Sequence, residues 1–140
     1  MTHRRLWTIG YDSLSKENLL KVLKGNGIQV VVDLRRWPTS KYEDFRREKM
    51  EIWLHEACIE YIWLGKELGG YRSGGYEAFM ASKDFKRGIE KLLALIHEKK
   101  VCLLCLEKNP NSCHRFFIAL YLSRLGFEVI HIDADALFQE

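Results

Sequence analysis

The chain has 140 residues, of which 47% are hydrophobic and 29% are charged, and it contains only 2 prolines. This composition excludes a disordered, collagen-like or low-complexity chain, and a chain of this length can bury a real core. The net charge of +3 is well below that of a dedicated nucleic-acid-binding domain. The longest apolar stretch, 116–122, is far too short to cross a bilayer, and no signal sequence is recognisable. We therefore expect a cytoplasmic protein that does not associate with membranes.

Short apolar runs rich in β-branched residues alternate with longer amphipathic runs along the chain. The short runs predict five strands, at 6–11, 29–33, 60–64, 101–106 and 128–132. The longer runs predict four helices, which begin near Ser15, Ser40, Ser82 and Asn111 or Ser112. Ser40 forms a predicted capping box with Glu43 for a helix reaching about Ala57, and Gly126 is predicted to end the last helix.

This alternation predicts a single α/β domain over residues 1–140, with a mostly parallel sheet of about five strands and helices on both faces. Such a Rossmann-like three-layer arrangement places ligands beyond the carboxyl ends of the strands, where loops lead into helices. The residues that follow each strand are therefore the ones in which we expect function.

Cysteine chemistry is predicted after the fourth strand. Cys105 and Glu107 are two residues apart and share a face, where a carboxylate beside a thiol can act as a base or bind a metal. Cys113 is predicted in the first turn of the last helix, beside His114 and Arg115. The positive end of that helix and the charged neighbours would lower the pKa of this thiol and would suit an anion. The alternatives are that Cys105 is a small buried hydrophobe and that Cys113 has no special chemistry.

Polar and aromatic side chains also follow the first and second strands. Asp33 ends a buried strand and Arg35 lies on the same face. Asp33 is therefore predicted to position a substrate hydroxyl, to orient Arg35 or to cap the following turn. Tyr11 follows the first strand, and Trp37 is predicted either to stack on a base or sugar or to cover the core. We expect all these side chains to meet those of the fourth strand along one rim of the sheet.

Basic residues are concentrated in one stretch. From Arg35 to Lys49 there are six basic residues against three acidic ones. A local field of this sign attracts phosphate-bearing ligands, although a mixed-sign helical face is also common in solvent.

The four cysteines are predicted to be reduced, because the chain has no secretory signal and enough core to fold without disulfides. Cys102 and Cys105 have C-x-x-C spacing, but a strand directs the two thiols to opposite faces, which excludes a redox motif made of this pair. A metal site formed by Cys105, Cys113, His114 and a fourth ligand is a lesser alternative. No G-x-G-x-x-G segment follows a strand and no Walker A loop is present, so no cofactor is predicted.

Four groups of residues keep a characteristic order and spacing. They are Thr8-Ile9-Gly10-Tyr11, Asp33-Leu34-Arg35 with Pro38 and Ser40, Tyr61 ahead of Leu68-Gly69-Gly70, and Cys105-Leu106-Glu107 before Cys113-His114-Arg115. Together, from Thr8 to about His131, they resemble the domain-of-unknown-function family DUF488, although Tyr11 stands where many members carry histidine. The resemblance implies a small prokaryotic α/β protein with a site at the rim, and it suggests an enzyme without supplying a reaction.

We therefore expect an enzyme that acts on a phosphate-bearing substrate, either a nucleotide or nucleic acid. The predicted nucleophile is Cys113 or Cys105. The predicted proton-transfer partner is one of Glu107, His114 and Asp33. The predicted substrate contacts are Tyr11, Arg35, Trp37 and Arg115, of which the two arginines would hold the anion.

The alternative hypothesis is a binding module that recognises a nucleotide or nucleic acid without chemistry. It would use the same rim together with the basic stretch 35–49. Its affinity would fall steeply with salt concentration.

Overall fold

Five parallel strands form the centre of the molecule in a computed structural model that describes residues 4–134. The strands are β1 (Arg5–Gly10), β2 (Val30–Asp33), β3 (Glu60–Trp63), β4 (Val101–Cys105) and β5 (Glu128–His131). They lie in the order β3-β2-β4-β1-β5, and every neighbouring pair is parallel. All five predicted strands are therefore confirmed, and the sheet is entirely parallel.

Six α-helices connect these strands within the described part of the chain. They are α1 (Lys16–Gly25), α2 (Arg47–Glu56), α3 (Gly65–Leu68), α4 (Tyr76–Phe79), α5 (Lys83–Glu98) and α6 (Arg115–Arg124). Two short 3-10 turns, Glu43–Phe45 and Pro110–Ser112, precede α2 and α6.

The sheet separates two hydrophobic cores, because alternate residues of each strand point to opposite faces. On one face α1 and α2 pack against residues such as Ile9, Val31 and Leu104. On the other face α5 and α6 pack against residues such as Val32 and Leu103. This three-layer α/β architecture is the predicted Rossmann-like class, and burial on both faces explains why β2 and β4 are apolar at nearly every position.

Several helix ends lie at the positions that local sequence signals predicted. The hydroxyl oxygen of Ser15 accepts a hydrogen bond from the Asn18 backbone N–H, and that of Ser82 accepts one from Phe85, so both serines are N-caps. Gly126, directly after the C-cap of α6, has a φ of +95°, which favours glycine at this position.

The predicted capping box at Ser40 was wrong. The Ser40 hydroxyl oxygen accepts a hydrogen bond from the Tyr42 N–H, which closes a local turn, and the 3-10 turn 43–45 follows. The α-helix therefore begins only at Arg47, with Arg46 as an N-cap whose side chain makes no capping bond. The Ser40 side chain therefore bonds to the backbone of this local turn instead of capping the helix.

The start of the last helix was also predicted wrongly. Neither Asn111 nor Ser112 is its N-cap, since a proline-containing 3-10 turn occupies 110–112. Cys113 is extended, with φ −137° and ψ 152°, and His114 is the N-cap of α6. Cys113 therefore precedes the helix and does not lie in its first turn.

None of the helices described between residues 4 and 134 has the length and apolar character needed to cross a membrane.

Candidate active site

Two polar clusters lie at the carboxyl edge of the sheet, on opposite faces. By strand alternation, Asp33 at the end of β2 shares its face with Val31, on the side of α1 and α2. Cys105 at the end of β4 shares its face with Leu103, on the side of α5 and α6. The single rim predicted from the sequence is thus divided by the sheet into a cluster around Asp33 and a cluster around Cys105.

The cluster around Cys105 brings together two thiols and a carboxylate. The sulfur atoms of Cys105 and Cys113 and a carboxylate oxygen of Glu107 all lie within 4.8 Å of one another. Cys105 and Cys113 are buried, and Glu107 is half-buried. The loop that joins β4 to α6 therefore brings Cys113 next to Cys105 and Glu107.

Gly10 and Arg115 hold this loop in place. The backbone of β1 continues along the loop, as the Tyr11 N–H donates to the Cys105 carbonyl at 3.0 Å. A Cβ atom added to Gly10 would lie 1.7 Å from the Glu107 carbonyl oxygen, so only glycine permits this approach. On the other side, Nη2 of Arg115 donates to the carbonyl oxygens of Glu107 at 2.7 Å and Lys108 at 3.1 Å.

Cys113 is surrounded by groups that stabilise a thiolate. The Cys105 sulfur lies within 4.8 Å of the Cys113 sulfur, and this neighbouring thiol lowers the pKa of Cys113 well below the ordinary value for cysteine, against the effect of burial. His114, whose Nδ1 lies 3.6 Å away, and the backbone N–H of Arg115, at 3.5 Å, act in the same direction. Cys113 thus gains part of the stabilisation expected of a helix start, although it lies outside the helix.

The pKa values of Cys105 and Glu107 are raised, in contrast to the lowered pKa of Cys113. The neighbouring Cys113 and burial raise the pKa of Cys105, which keeps this thiol protonated. Burial and the neighbouring Cys113 raise the pKa of Glu107. The cluster therefore combines one thiolate with two groups that hold protons more tightly than usual.

A cavity of about 360 Å³ opens beside Cys113. Its lining is mostly aromatic and polar, and consists of Gly70, Tyr71, Tyr76, Glu107, Asn111, Cys113, His114 and Phe117. The predicted residues Cys113, His114 and Glu107 therefore face one common space, in which a small molecule can reach the sulfur of Cys113.

His114 is fixed between this cavity and the loop after α3. A Cβ atom added to Gly70 would lie 2.9 Å from the Nδ1 atom of His114, and the ring of Tyr76 lies 5.4 Å from the imidazole. The Nε2 atom of His114 is buried and has no hydrogen-bond partner among residues 4–134.

The cluster around Asp33 is a buried ion pair. Nε and Nη2 of Arg35 donate to the two carboxylate oxygens of Asp33 at 2.9 and 2.7 Å. The Arg35 backbone N–H and the Tyr61 hydroxyl also donate to this carboxylate. Asp33 therefore orients Arg35 and caps the turn, which were two of its predicted roles. Its predicted catalytic role stays a prediction.

The two arginines predicted to hold an anion contact interior partners. Nη1 of Arg35 donates to the Tyr11 hydroxyl and the Phe45 carbonyl. Arg115 is completely buried, and its Nη1 donates to the Thr8 hydroxyl oxygen at 2.9 Å. Tyr11 is itself buried and stacks on Phe45. The predicted substrate contacts of Arg35, Arg115 and Tyr11 stay predictions, and none of the three lines the cavity beside Cys113.

An exposed aromatic and basic surface borders the cavity instead. Trp37 is 58% exposed and Tyr71 is 79% exposed, and their ring centroids are 5.5 Å apart. The guanidinium of Arg36 lies over the Trp37 ring at 5.0 Å and donates to the Tyr71 carbonyl oxygen. Trp37 therefore does not cover the core, which removes one of its two predicted roles.

Arg72 adds a second positive charge to this surface. It donates to the carbonyl oxygens of Gly65 and Gly69, beside α3. Burial, and then the charge of Arg36, lower the pKa of Arg72. In the region that the structure describes, neither forms a salt bridge with a carboxylate. Sequence reasoning missed Arg36 and Arg72, and the only signals for them were the basic stretch and the Tyr71-Arg72 pair inside the glycine-rich loop.

The other two cysteines lie away from the cavity. All four cysteines are free thiols, as predicted. Cys102 is buried in the core on the side of α1 and α2, so it faces away from Cys105, and Cys58 is exposed.

The fold and the site define a parallel three-layer α/β protein with a thiol-containing cavity at the carboxyl edge of its sheet. The chain belongs to the family described as "Domain of unknown function DUF488", whose model matches residues 15–122. Comparisons with curated proteins and with solved structures found no match for this chain.

Proposed function

We propose that the protein is an enzyme in which the Cys113 thiolate attacks an electrophilic centre of a phosphate-bearing substrate. One observation carries this proposal: Cys113 lines an open cavity while its sulfur accepts a hydrogen bond from the Arg115 N–H and lies within 4.8 Å of the Cys105 sulfur. A thiolate is the reactive form of cysteine, and a structural buried cysteine has no comparable surroundings.

Glu107 is the proposed proton-transfer partner. Its raised pKa favours the acid form, and its carboxyl group lies within 4.8 Å of the Cys113 sulfur. As the sulfur forms a bond to the electrophilic atom, the bond to the leaving group breaks, and the proton of Glu107 goes to the leaving atom. Water then attacks the same electrophilic atom, which releases Cys113 as a thiolate, and the proton lost by the water returns to Glu107.

The surface formed by Trp37, Tyr71, Arg36 and Arg72 supports the phosphate-bearing substrate class. Two exposed, neighbouring aromatic rings offer a stacking surface for a base or sugar. Arg36 donates to the carbonyl oxygen of Tyr71, which lines the cavity, and Arg72 follows Tyr71 in the chain. These two guanidinium groups have no carboxylate partners among the described residues and offer a positive field beside the cavity. This surface replaces Arg35 and Arg115 as the proposed anion-binding element.

The nucleophile is tested by alkylation with iodoacetamide at a series of pH values, with each modified cysteine located by mass spectrometry. We expect Cys113 to react as a thiolate at neutral and mildly acidic pH, whereas Cys58 reacts only towards alkaline pH. Turnover of nucleoside phosphates and oligonucleotides should be abolished in Cys113→Ser and retained in Cys58→Ser. The proposal would be overturned if Cys113 did not react with iodoacetamide below alkaline pH, or if Cys113→Ser kept full turnover.

The substrate charge is tested with two alkylating reagents of similar size. The anion iodoacetate should react with Cys113 faster, relative to neutral iodoacetamide, when the positive surface is intact. Arg36→Gln should lower this rate ratio severalfold, as should added salt. Arg124→Gln, at the far end of α6, is the matched control and should leave the ratio unchanged. Equal rate ratios in Arg36→Gln and Arg124→Gln would exclude Arg36 as a binding residue. Salt-dependent nucleotide binding without any turnover would favour the non-catalytic binding module.

A metal site is a second candidate function, and one observation favours it. Cys105, Glu107 and Cys113 present two sulfurs and one oxygen within 4.8 Å of one another, a donor set that suits Zn²⁺. The donors differ from the predicted set, because Glu107 takes the place assigned to His114. Elemental analysis of the purified protein tests this function, and stoichiometric zinc that is lost in Cys105→Ser would support it.

A further inference from the structure

The two buried thiols of the site differ in their access to solvent. Cys113 lines the cavity and is 9% exposed. Cys105 does not line the cavity and is 1% exposed. An external reagent therefore meets Cys113 first, and Cys105 can react only with a group that is already attached to Cys113.

The two residues come from different elements that the fold holds together. Cys105 ends β4, and Cys113 lies just before α6, on the far side of the loop 106–112. The two sulfur atoms lie within 4.8 Å of each other, and a disulfide forms when such atoms approach to about 2 Å.

We propose that Cys105 and Cys113 form a redox-active pair, in which Cys113 is the attacking thiol and Cys105 the resolving thiol, and that low-molecular-weight disulfides oxidise the pair reversibly. In the first step the Cys113 thiolate attacks one sulfur of the small disulfide. A mixed disulfide forms at Cys113, and the other half of the reagent leaves as a thiolate. In the second step the Cys105 sulfur attacks the Cys113 sulfur and releases the second half as a thiol. The protein loses two electrons and the small disulfide gains them.

Glu107 provides the base that the second step requires. A protonated thiol is a poor nucleophile, and Cys105 is buried where bulk water cannot take its proton. A carboxylate oxygen of Glu107 lies within 4.8 Å of the Cys105 sulfur. Glu107 lines the cavity, where its carboxyl group can lose its own proton to solvent, and the resulting carboxylate accepts the proton of Cys105 and passes it to the departing thiolate.

This pair goes beyond the proposed function and does not depend on it. If Cys113 is the nucleophile of an enzyme, the disulfide removes that nucleophile, and reduction restores it. The thiol pair then couples the activity to the balance of reduced and oxidised small thiols.

The experiment uses the full chain, purified with a chelator to remove bound metal and incubated with oxidised glutathione. We expect the intact mass to fall by the mass of two hydrogens, and peptide mapping without reductant to show a Cys105–Cys113 link that dithiothreitol reverses. Cys105→Ser should instead accumulate a stable glutathione adduct on Cys113, and Cys113→Ser should form neither product. Glu107→Gln should leave formation of the adduct unchanged and slow its conversion to the link. Cys102→Ser, on the same strand but the opposite face, should behave like the unaltered protein.

Three results would overturn the proposal: a lasting glutathione adduct on Cys113 in the unaltered protein, a link that includes Cys58 or Cys102, or no reaction at all. The test is separate from that of the proposed function. A Cys113 that alkylates as a thiolate but forms no link refutes the redox pair alone. A link that forms in a protein whose turnover survives Cys113→Ser refutes the proposed nucleophile alone.

Discussion

Arg115 holds Glu107 through its backbone and not through its carboxylate. Nη2 of Arg115 donates to the Glu107 carbonyl oxygen at 2.7 Å, and the guanidinium is completely shielded from solvent. Nη1 of the same group reaches the Thr8 hydroxyl, in β1. One arginine at the start of α6 thus joins the loop after β4 to the neighbouring strand, and Glu107 lines the cavity.

Replacing Arg115 by lysine should therefore destabilise the protein although the charge is kept. A lysine ammonium cannot reach Thr8, Glu107 and Lys108 together, and unpaired buried acceptors each have a cost. We expect the free energy of unfolding to fall by about 2–4 kcal/mol, measured by urea denaturation. Arg124→Lys, at the exposed end of α6, is the matched control and should change stability by less than about 0.5 kcal/mol. Equal effects of the two substitutions would contradict the anchoring role of Arg115.

Asp33→Asn should destabilise the fold without changing the reactivity of Cys113. It leaves the buried Arg35 guanidinium without its counter-charge, which costs about 3–5 kcal/mol in comparable cases. The ion pair lies on the other face of the sheet from Cys113, so the pH profile of Cys113 alkylation should match that of the unaltered protein. Urea denaturation and alkylation measure the two effects. A shifted alkylation profile in a still folded protein would instead support the predicted catalytic role of Asp33.

The order of strands and helices and the apolar strands could be predicted from the sequence because they depend on local patterns. Val30, Val31 and Val32 indicate a strand that is buried on both faces, and the structure has it there. The division of the edge into two clusters could not be predicted in the same way. It depends on strand order and on which face each side chain takes, and both are set by packing between distant parts of the chain.

The spacing of the cysteines in the sequence likewise predicts only part of the site. Cys102 and Cys105 have the spacing of a redox motif, and the strand was correctly predicted to separate them. The pair that does meet, Cys105 and Cys113, is eight residues apart, with a 3-10 turn at 110–112 between them and an extended backbone at Cys113 itself. No periodic pattern encodes such a loop. The position of Cys113 before the helix could therefore be learned only from the structure.

Removing the neighbouring Cys105 thiol should make Cys113 less acidic. The Cys105 thiol is the largest contribution to the lowered pKa of Cys113, so Cys105→Ala destabilises the thiolate relative to the thiol. The midpoint of the alkylation profile should move to higher pH by about one unit or more, and the rate at neutral pH should fall accordingly. Cys102→Ala removes a buried cysteine from the same strand and is the control, for which no shift is expected. An unchanged midpoint in Cys105→Ala would mean that His114 and the Arg115 N–H alone stabilise the thiolate.

Gly70→Ala should disturb the site through His114. The new Cβ atom would lie 2.9 Å from the Nδ1 atom of His114, closer than such contacts allow, so the imidazole or the loop must move. Since Nδ1 of His114 lies 3.6 Å from the Cys113 sulfur, the thiolate loses part of its stabilisation and alkylation of Cys113 should slow at neutral pH. Gly25→Ala, at the end of α1, adds a Cβ atom with nothing within 4 Å and should leave both stability and alkylation unchanged. Alkylation rates measured beside urea denaturation separate local displacement from unfolding: a slower rate in a protein of near-normal stability locates the effect at His114. Identical rates in Gly70→Ala and Gly25→Ala would show that the position of His114 does not control the reactivity of Cys113.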